Sequence, residues 1–195
     1  MLLYKDILKD DNPILRKKSI NVETPLIQED VELLKSLNEY LVNGYNEDFV
    51  QEYNIRPGVG LAAPQIGSLK RIFVIHATDQ DGTKHHYGVI NPKIISHSEE
   101  KVFLTSGEGC LSVDRNIDGL VHRYKRIKAR LFLYNFENDT IEEKELKLEN
   151  YLSVVFQHEY DHLAGTLFYD HINKENPFYI PNNSQPLNIT SKDEE

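Results

Sequence analysis

The sequence predicts an α+β fold in which mostly antiparallel sheets pack around a buried helix. Strand-like runs fill the middle of the chain, whereas helical patterns lie near both ends. The regular alternation of strand and helix that builds a parallel sheet is missing. Short turn signals between the strand-like runs are typical of hairpins.

The first predicted element is an amphipathic helix. Apolar residues recur at three- and four-residue steps from Val31 to Tyr45, which places them on one helix face. Residues 56–67 follow and contain three glycines and two prolines, so neither a helix nor a strand is expected to run through all of them. Part of this segment fits a dinucleotide-binding fingerprint, but no strand precedes it and Pro64 interrupts the helix that must follow.

Two hairpins and a second helix complete the predicted fold. Residues 71–76 and 87–90 flank the turn signal Asp81-Gly82, and residues 127–136 and 140–148 flank Asn138-Asp139. The second helix is predicted from residue 151 to about residue 164, with Asn150 as its cap and Gly165 as its stop. We expect residues 1–178 to form a single domain and residues 179–195 to form a loose tail, because apolar residues become sparse there.

Composition restricts the function classes. The net charge of −9 argues against non-specific nucleic-acid binding, so no direct DNA binding is expected. No apolar run approaches the length of a membrane span, and acidic residues interrupt the start where a signal peptide would continue. A single cysteine excludes an internal disulfide. These features predict a cytoplasmic protein without membrane attachment, and we expect a monomer.

The strongest candidate for chemistry is the H-E-x-x-H pattern from His158 to His162. Residues four apart share one helix face, so both histidines can bind one metal ion, and Glu159 can reach a water on that ion. The alternative is an ordinary helix edge with two histidines. Apolar neighbours almost all round this helix favour burial, and buried polar side chains need partners such as a cation.

A catalytic metal usually has three protein ligands. Cys110 is a plausible third ligand because Gly107 and Gly109 allow close backbone approach. A lone cysteine is also commonly a small buried hydrophobe, and His171 is available to the same helix as an alternative ligand. The residue types alone leave this choice open.

Three segments taken together resemble the signature motifs of the peptide deformylases. They are GVGLAAPQ at residues 58–65, EGCLS at residues 108–112 and HEYDH at residues 158–162. Their order and spacing match that family. The extended linkers, the SVDR that follows the cysteine motif and LFYDHI at residues 167–172 resemble its longer subtype, which is typical of Gram-positive bacteria and mollicutes. The resemblance extends from about residue 11 to residue 172.

The resemblance implies a hydrolase that removes the N-formyl group from the N-terminal methionine of nascent chains, near the ribosome. It implies one divalent metal held by Cys110, His158 and His162. Ferrous iron is the family's physiological ion, for which zinc, nickel or cobalt can substitute. Glu159 would then be the general acid and base.

The resemblance also assigns roles around the metal. Gln65 and the Leu111 N–H would stabilise the oxyanion. The substrate would contact a set of small and apolar residues: Val59, Gly60, Tyr151 and Val155. Asp161 would pair with Arg123 rather than bind metal. Two alternatives stay open, namely an H-E-x-x-H zinc peptidase and a non-catalytic homologue that binds peptides or ribosomes.

Overall fold

The computed structural model describes residues 1–188, which contain three α-helices and eight β-strands. The helices are α1 (Gln28–Asn43), α2 (Glu47–Tyr53) and α3 (Asn150–His162). The strands are β1 (Gly60–Ala62), β2 (Ile72–Thr78), β3 (Lys84–His97), β4 (Lys101–Leu104), β5 (Arg123–Tyr124), β6 (Arg126–Asn135), β7 (Thr140–Glu149) and β8 (Ser184–Leu187). Within this part of the chain, no helix has the length and apolar character needed to cross a membrane.

Five strands form an antiparallel sheet in the order β1-β2-β3-β6-β7. Both predicted hairpins are present, although β3 is longer than expected. The pairing of β3 with β6 changes register between Ile90 and Lys93, where Pro92 has no N–H to donate to the ladder. The predicted α+β class with mostly antiparallel strands is confirmed.

The smaller sheet has the order β5-β4-β8, and its β4–β8 pair is parallel. The expectation of a loose tail is therefore wrong for residues 184–187. β8 pairs with one edge of β4, and its Leu187 side chain is buried in an apolar cluster. The part of the expected tail beyond residue 188 lies outside the described residues.

Two apolar cores cover the two faces of the large sheet. Successive strand residues point to opposite faces, and in β2 the side chains of Ile72 and Val74 pack on the α1 side. Phe73 and Ile75 pack on the α3 side. The large sheet is thus enclosed by α1 on one face and α3 on the other.

Helix α3 is buried between the two sheets. The ring of Phe156 packs edge-on against Phe73 of the large sheet, with 5.1 Å between ring centroids. Val154 joins a cluster with Val102 of the smaller sheet. This burial places the H-E-x-x-H residues in the interior of the protein.

The ends of α3 differ slightly from the sequence prediction. The helix ends at His162, and Gly165 follows it with a φ of +75°, as suits a helix stop. Asn150 does not cap the helix, because β7 continues into α3 without a loop. The extended residue Glu149 takes the capping position, and Asn150 becomes the first helical residue.

Candidate metal centre and active site

Three potential metal ligands converge at the centre of the protein. One ligand atom each from Cys110, His158 and His162 lies within 4.8 Å of the other two. The Cys110 Sγ and His162 Nε2 atoms are 3.4 Å apart. Helix α3 places the two histidines one turn apart on the same face, and the loop after β4 brings Cys110 to them.

The donor set fits a divalent transition metal. Burial alone would raise the pKa of the Cys110 thiol, but the charge of His162 and hydrogen bonds to both histidines hold that pKa well below its usual value. The thiolate form is the metal-binding form, and one thiolate with two imidazoles suits either iron or zinc.

Glu108 orients the first histidine of the motif. Its Oε2 lies 2.8 Å from Nδ1 of His158, which directs the other ring nitrogen away from Glu108. Arg123 binds both carboxylate oxygens of Glu108, at 2.8 and 3.0 Å. Burial opposes ionisation of Glu108 and is the largest single effect, but the charges and hydrogen bonds of Arg123 and His158 together outweigh it and lower the pKa to about 2. Glu108 therefore supports His158 as an ionised partner.

No role for Glu108 was predicted from the sequence. The available signal was an acidic residue two positions before the cysteine, between Gly107 and Gly109. Such a position is compatible with an exposed turn. Its contact with His158 joins residues 50 positions apart and is visible only in the fold.

Arg123 also binds the carboxylate of Asp161, the partner that the family resemblance implies. Its Nη1 lies 2.5 Å from Oδ2 of Asp161. The same Asp161 oxygen accepts a hydrogen bond from Nε2 of His171, 2.7 Å away. His171, the alternative third ligand of the peptidase hypothesis, thus contacts Asp161. It is not part of the ligand group found among residues 1–188.

Glu159 is buried beside the ligand group. Its side chain is 4% exposed, and among the described residues Oε2 has no hydrogen-bond partner. Burial raises its pKa to about 7, which suits a group that exchanges protons near neutral pH. Gly60 makes room for it, since a Cβ atom at Gly60 would lie 2.6 Å from the Glu159 carboxyl carbon.

Gln65 is held with its amide nitrogen towards the cysteine. Its Oε1 accepts a 2.8 Å hydrogen bond from the Ala62 N–H. Its Nε2 donates to Ser112 Oγ at 3.1 Å and lies 3.6 Å from Cys110 Sγ. The residue is 1% exposed, so the amide is fixed by the buried network. Leu111, which follows Cys110 in the chain, is also buried, and its carbonyl oxygen accepts a hydrogen bond from Lys9.

An open cavity of about 280 Å³ leads to the ligand group. All four residues expected to contact substrate line it: Val59, Gly60, Tyr151 and Val155. Leu104 and Val154 also line it, although neither was predicted from the sequence to do so. Leu104 reaches the cavity because β4 pairs with distant segments of the chain, and no local sequence pattern predicts that pairing.

The fold and the site together define the class of protein. A buried cysteine and two histidines can bind one metal ion, a buried glutamate lies next to them, and a cavity gives access. This is the arrangement of a mononuclear metal-dependent hydrolase.

The comparisons with known proteins are consistent with that class. The family model for polypeptide deformylase matches residues 4–178, and the chain belongs to this family. The chain is 48% identical to peptide deformylase 2 of Bacillus anthracis, covering 96% of this chain and 99% of the relative. It is 46% identical to peptide deformylase 2 of Bacillus subtilis (strain 168), covering 94% of this chain and 97% of the relative.

Solved structures show the same fold. A probable peptide deformylase from Synechococcus phage S-SSM7 matches with a TM-score of 0.65 and 37% identity, covering 85% of this chain and 97% of that chain. Peptide deformylase from Ehrlichia chaffeensis matches with a TM-score of 0.68 and 31% identity, covering 87% of this chain and 88% of that chain.

Proposed function

We propose that the protein removes the N-formyl group from the N-terminal methionine of newly synthesised proteins and releases formate. One observation carries this proposal: the convergence of Cys110, His158 and His162 next to the buried Glu159. Membership of the polypeptide deformylase family supports the same reaction.

We propose ferrous iron as the physiological ion at Cys110, His158 and His162. The same thiolate and imidazole donors also accept zinc, nickel or cobalt, so these ions can substitute. When bound, a divalent ion makes a hydroxide nucleophile available near neutral pH and polarises the formyl carbonyl.

Glu159 is assigned the proton transfers. Its carboxylate accepts a proton from the attacking water as the new C–O bond forms at the formyl carbon. It then delivers that proton to the amine nitrogen as the C–N bond breaks, which leaves formate and a free N-terminus. The buried position of the carboxyl group beside the ligands supports this role.

Gln65 and Leu111 are assigned the stabilisation of the oxyanion that develops on the formyl oxygen. The Gln65 amide has two N–H groups, and the network around Ala62 and Ser112 holds them in a fixed direction. The Leu111 backbone N–H is adjacent to Cys110. Donors fixed in this way stabilise the transition state without reorganisation, and each is typically worth about 10²–10³ in kcat.

The cavity provides the binding site for the methionine side chain. Val59, Tyr151 and Val155 give it apolar walls. The peptide backbone is proposed to add as a strand along residues 58–60, with main-chain hydrogen bonds that do not depend on the downstream sequence. Main-chain binding of this kind suits an enzyme that must process many different nascent chains. We propose that the enzyme is a cytoplasmic monomer that acts close to the ribosome.

Two alternatives are weaker. A zinc peptidase would need a third ligand downstream of α3, but His171 contacts Asp161 instead. A non-catalytic homologue that only binds peptides or ribosomes would have no need to keep Glu159 beside a complete set of metal ligands.

The test compares formate release from formyl-Met-Ala-Ser with cleavage of the same peptide at internal amides. Release of formate alone is expected. In Glu159→Gln, turnover should fall by about 10²–10⁴, while the metal content stays unchanged because the carboxylate is not a ligand. A variant that keeps most of its activity would remove Glu159 from this role.

A further inference from the structure

The described part of the chain ends in a strand beside the active-site cavity. β8 runs parallel to β4, with Leu187 as the register partner of Leu104. Leu104 is the last residue of β4 and lines the cavity. Partners in a parallel pair lie on the same face of the sheet, so the two leucine side chains face the same direction.

Leu187 lies behind an apolar wall of the cavity. The apolar wall consists of Leu104, Tyr151 and Val154, all of which line the cavity. Leu187 is 8% exposed and forms one cluster with Val154 and Val102, against which Leu104 and Tyr151 pack. Leu187 does not itself line the cavity, so it acts on bound substrate through the apolar wall.

Several hydrogen bonds hold β8 in this position. His122 contacts the Ser184 hydroxyl at 2.7 Å and the Tyr179 carbonyl at 2.8 Å. Thr105 Oγ1 donates to Asn188 Oδ1 at 2.9 Å, just beyond the strand. The segment is therefore fixed on both sides of Leu187, close to where β4 enters the cavity.

We propose that β8 is a positioning element for substrate selection, with Leu187 setting how far the apolar wall projects into the cavity. This inference rests on the proposed deformylase function and adds that β8, through Leu187, sets the fit of the first side chain of the substrate. Protein interiors are close-packed, so a change of volume at Leu187 moves the residues in front of it.

Two substitutions should move the apolar wall in opposite directions. Leu187→Ala removes support and lets the apolar wall recede, so kcat/KM should rise for substrates with a larger first side chain. Leu187→Phe pushes the apolar wall inward, so kcat/KM for those substrates should fall. The ratio of kcat/KM for formyl-Phe-Ala-Ser to that for formyl-Met-Ala-Ser should rise and fall, respectively, by about fivefold. That is smaller than the roughly tenfold or greater effect of one directly contacting methylene.

The control is Gln185→Ala, an exposed position on the same strand. It should leave the substrate ratio unchanged. Metal content and the circular dichroism spectrum are measured for each variant. A general loss of folded enzyme lowers turnover of both substrates equally and does not change the ratio. If Leu187→Ala does not fold, Leu187→Val provides the smaller truncation.

Opposite shifts in the two Leu187 variants, with none in the control, support the inference. Equal ratios in all variants of an enzyme that releases formate from formyl-Met-Ala-Ser overturn it, as do shifts in the same direction. A wild-type enzyme that releases no formate overturns the proposed function and this inference with it.

Discussion

Replacing Gly60 with alanine should displace the proposed general base while leaving the metal ligands in place. A Cβ atom at this position would lie 2.6 Å from the carboxyl carbon of Glu159 and 2.8 Å from its Cγ. Non-bonded carbon atoms prefer separations of about 3.5–4.0 Å, so the carboxyl group must retreat by about 1 Å. A misplacement of that size can cost about 10²-fold in rate, which corresponds to about 2.7 kcal/mol in the activation barrier.

The assay measures kcat for formate release together with the metal content of each preparation. The expected result for Gly60→Ala is a kcat about 100-fold lower with one metal retained per chain. In a Glu159→Gln background, the same substitution should cost little more, because both changes act on one side chain.

Gly82→Ala is the matched control. Gly82 lies in the β2–β3 turn with a φ of +88°, and a Cβ atom there meets nothing within 4 Å. The substitution should cost about 1–2 kcal/mol in the free energy of unfolding through backbone strain, yet turnover should stay normal. A Gly60→Ala enzyme with a kcat within about threefold of wild type would refute the reasoning, because the barrier would have risen by less than 1 kcal/mol.

Elements with long local patterns could be predicted from the sequence. Patterns within single continuous segments indicate α1, the two hairpins and the apolar helix α3. The fold class could therefore be predicted from them. β4, β5 and β8 contain two to four residues each. Strands this short have no recognisable period and are stabilised by pairing between distant segments.

The same distinction applies to the site. The spacing of His158 and His162 indicates a shared helix face, and motif order suggested Cys110 as their companion. Glu108 could not be assigned because its partners, His158 and Arg123, are 50 and 15 residues away. An isolated acidic residue carries no information about a buried arginine until the fold brings the two together.

Three further predictions concern the ligands, their supporting ion pairs and the ion. Cys110→Ala should lose metal affinity but stay folded, as measured by metal analysis and circular dichroism; normal metal binding would place the third ligand elsewhere. Arg123→Met should cost about 3–5 kcal/mol in urea unfolding, because Glu108 and Asp161 lose their buried partner. Arg126→Met removes a half-exposed ion pair and should cost less than about 1 kcal/mol in the free energy of unfolding. Equal losses in the Arg123 and Arg126 variants would contradict the role of burial. The iron-loaded enzyme should lose activity in air and peroxide, since ferrous iron beside a thiolate at an accessible site can react with oxygen and the sulfur can be oxidised. Zinc does not change oxidation state, so the zinc form should last longer in air, although we expect it to turn over more slowly; nickel and cobalt forms should be both active and durable. Stripping the protein, reloading each ion separately and following formate release with and without oxygen tests this, and equal lifetimes of the iron and nickel forms in air would show that the fold shields the iron.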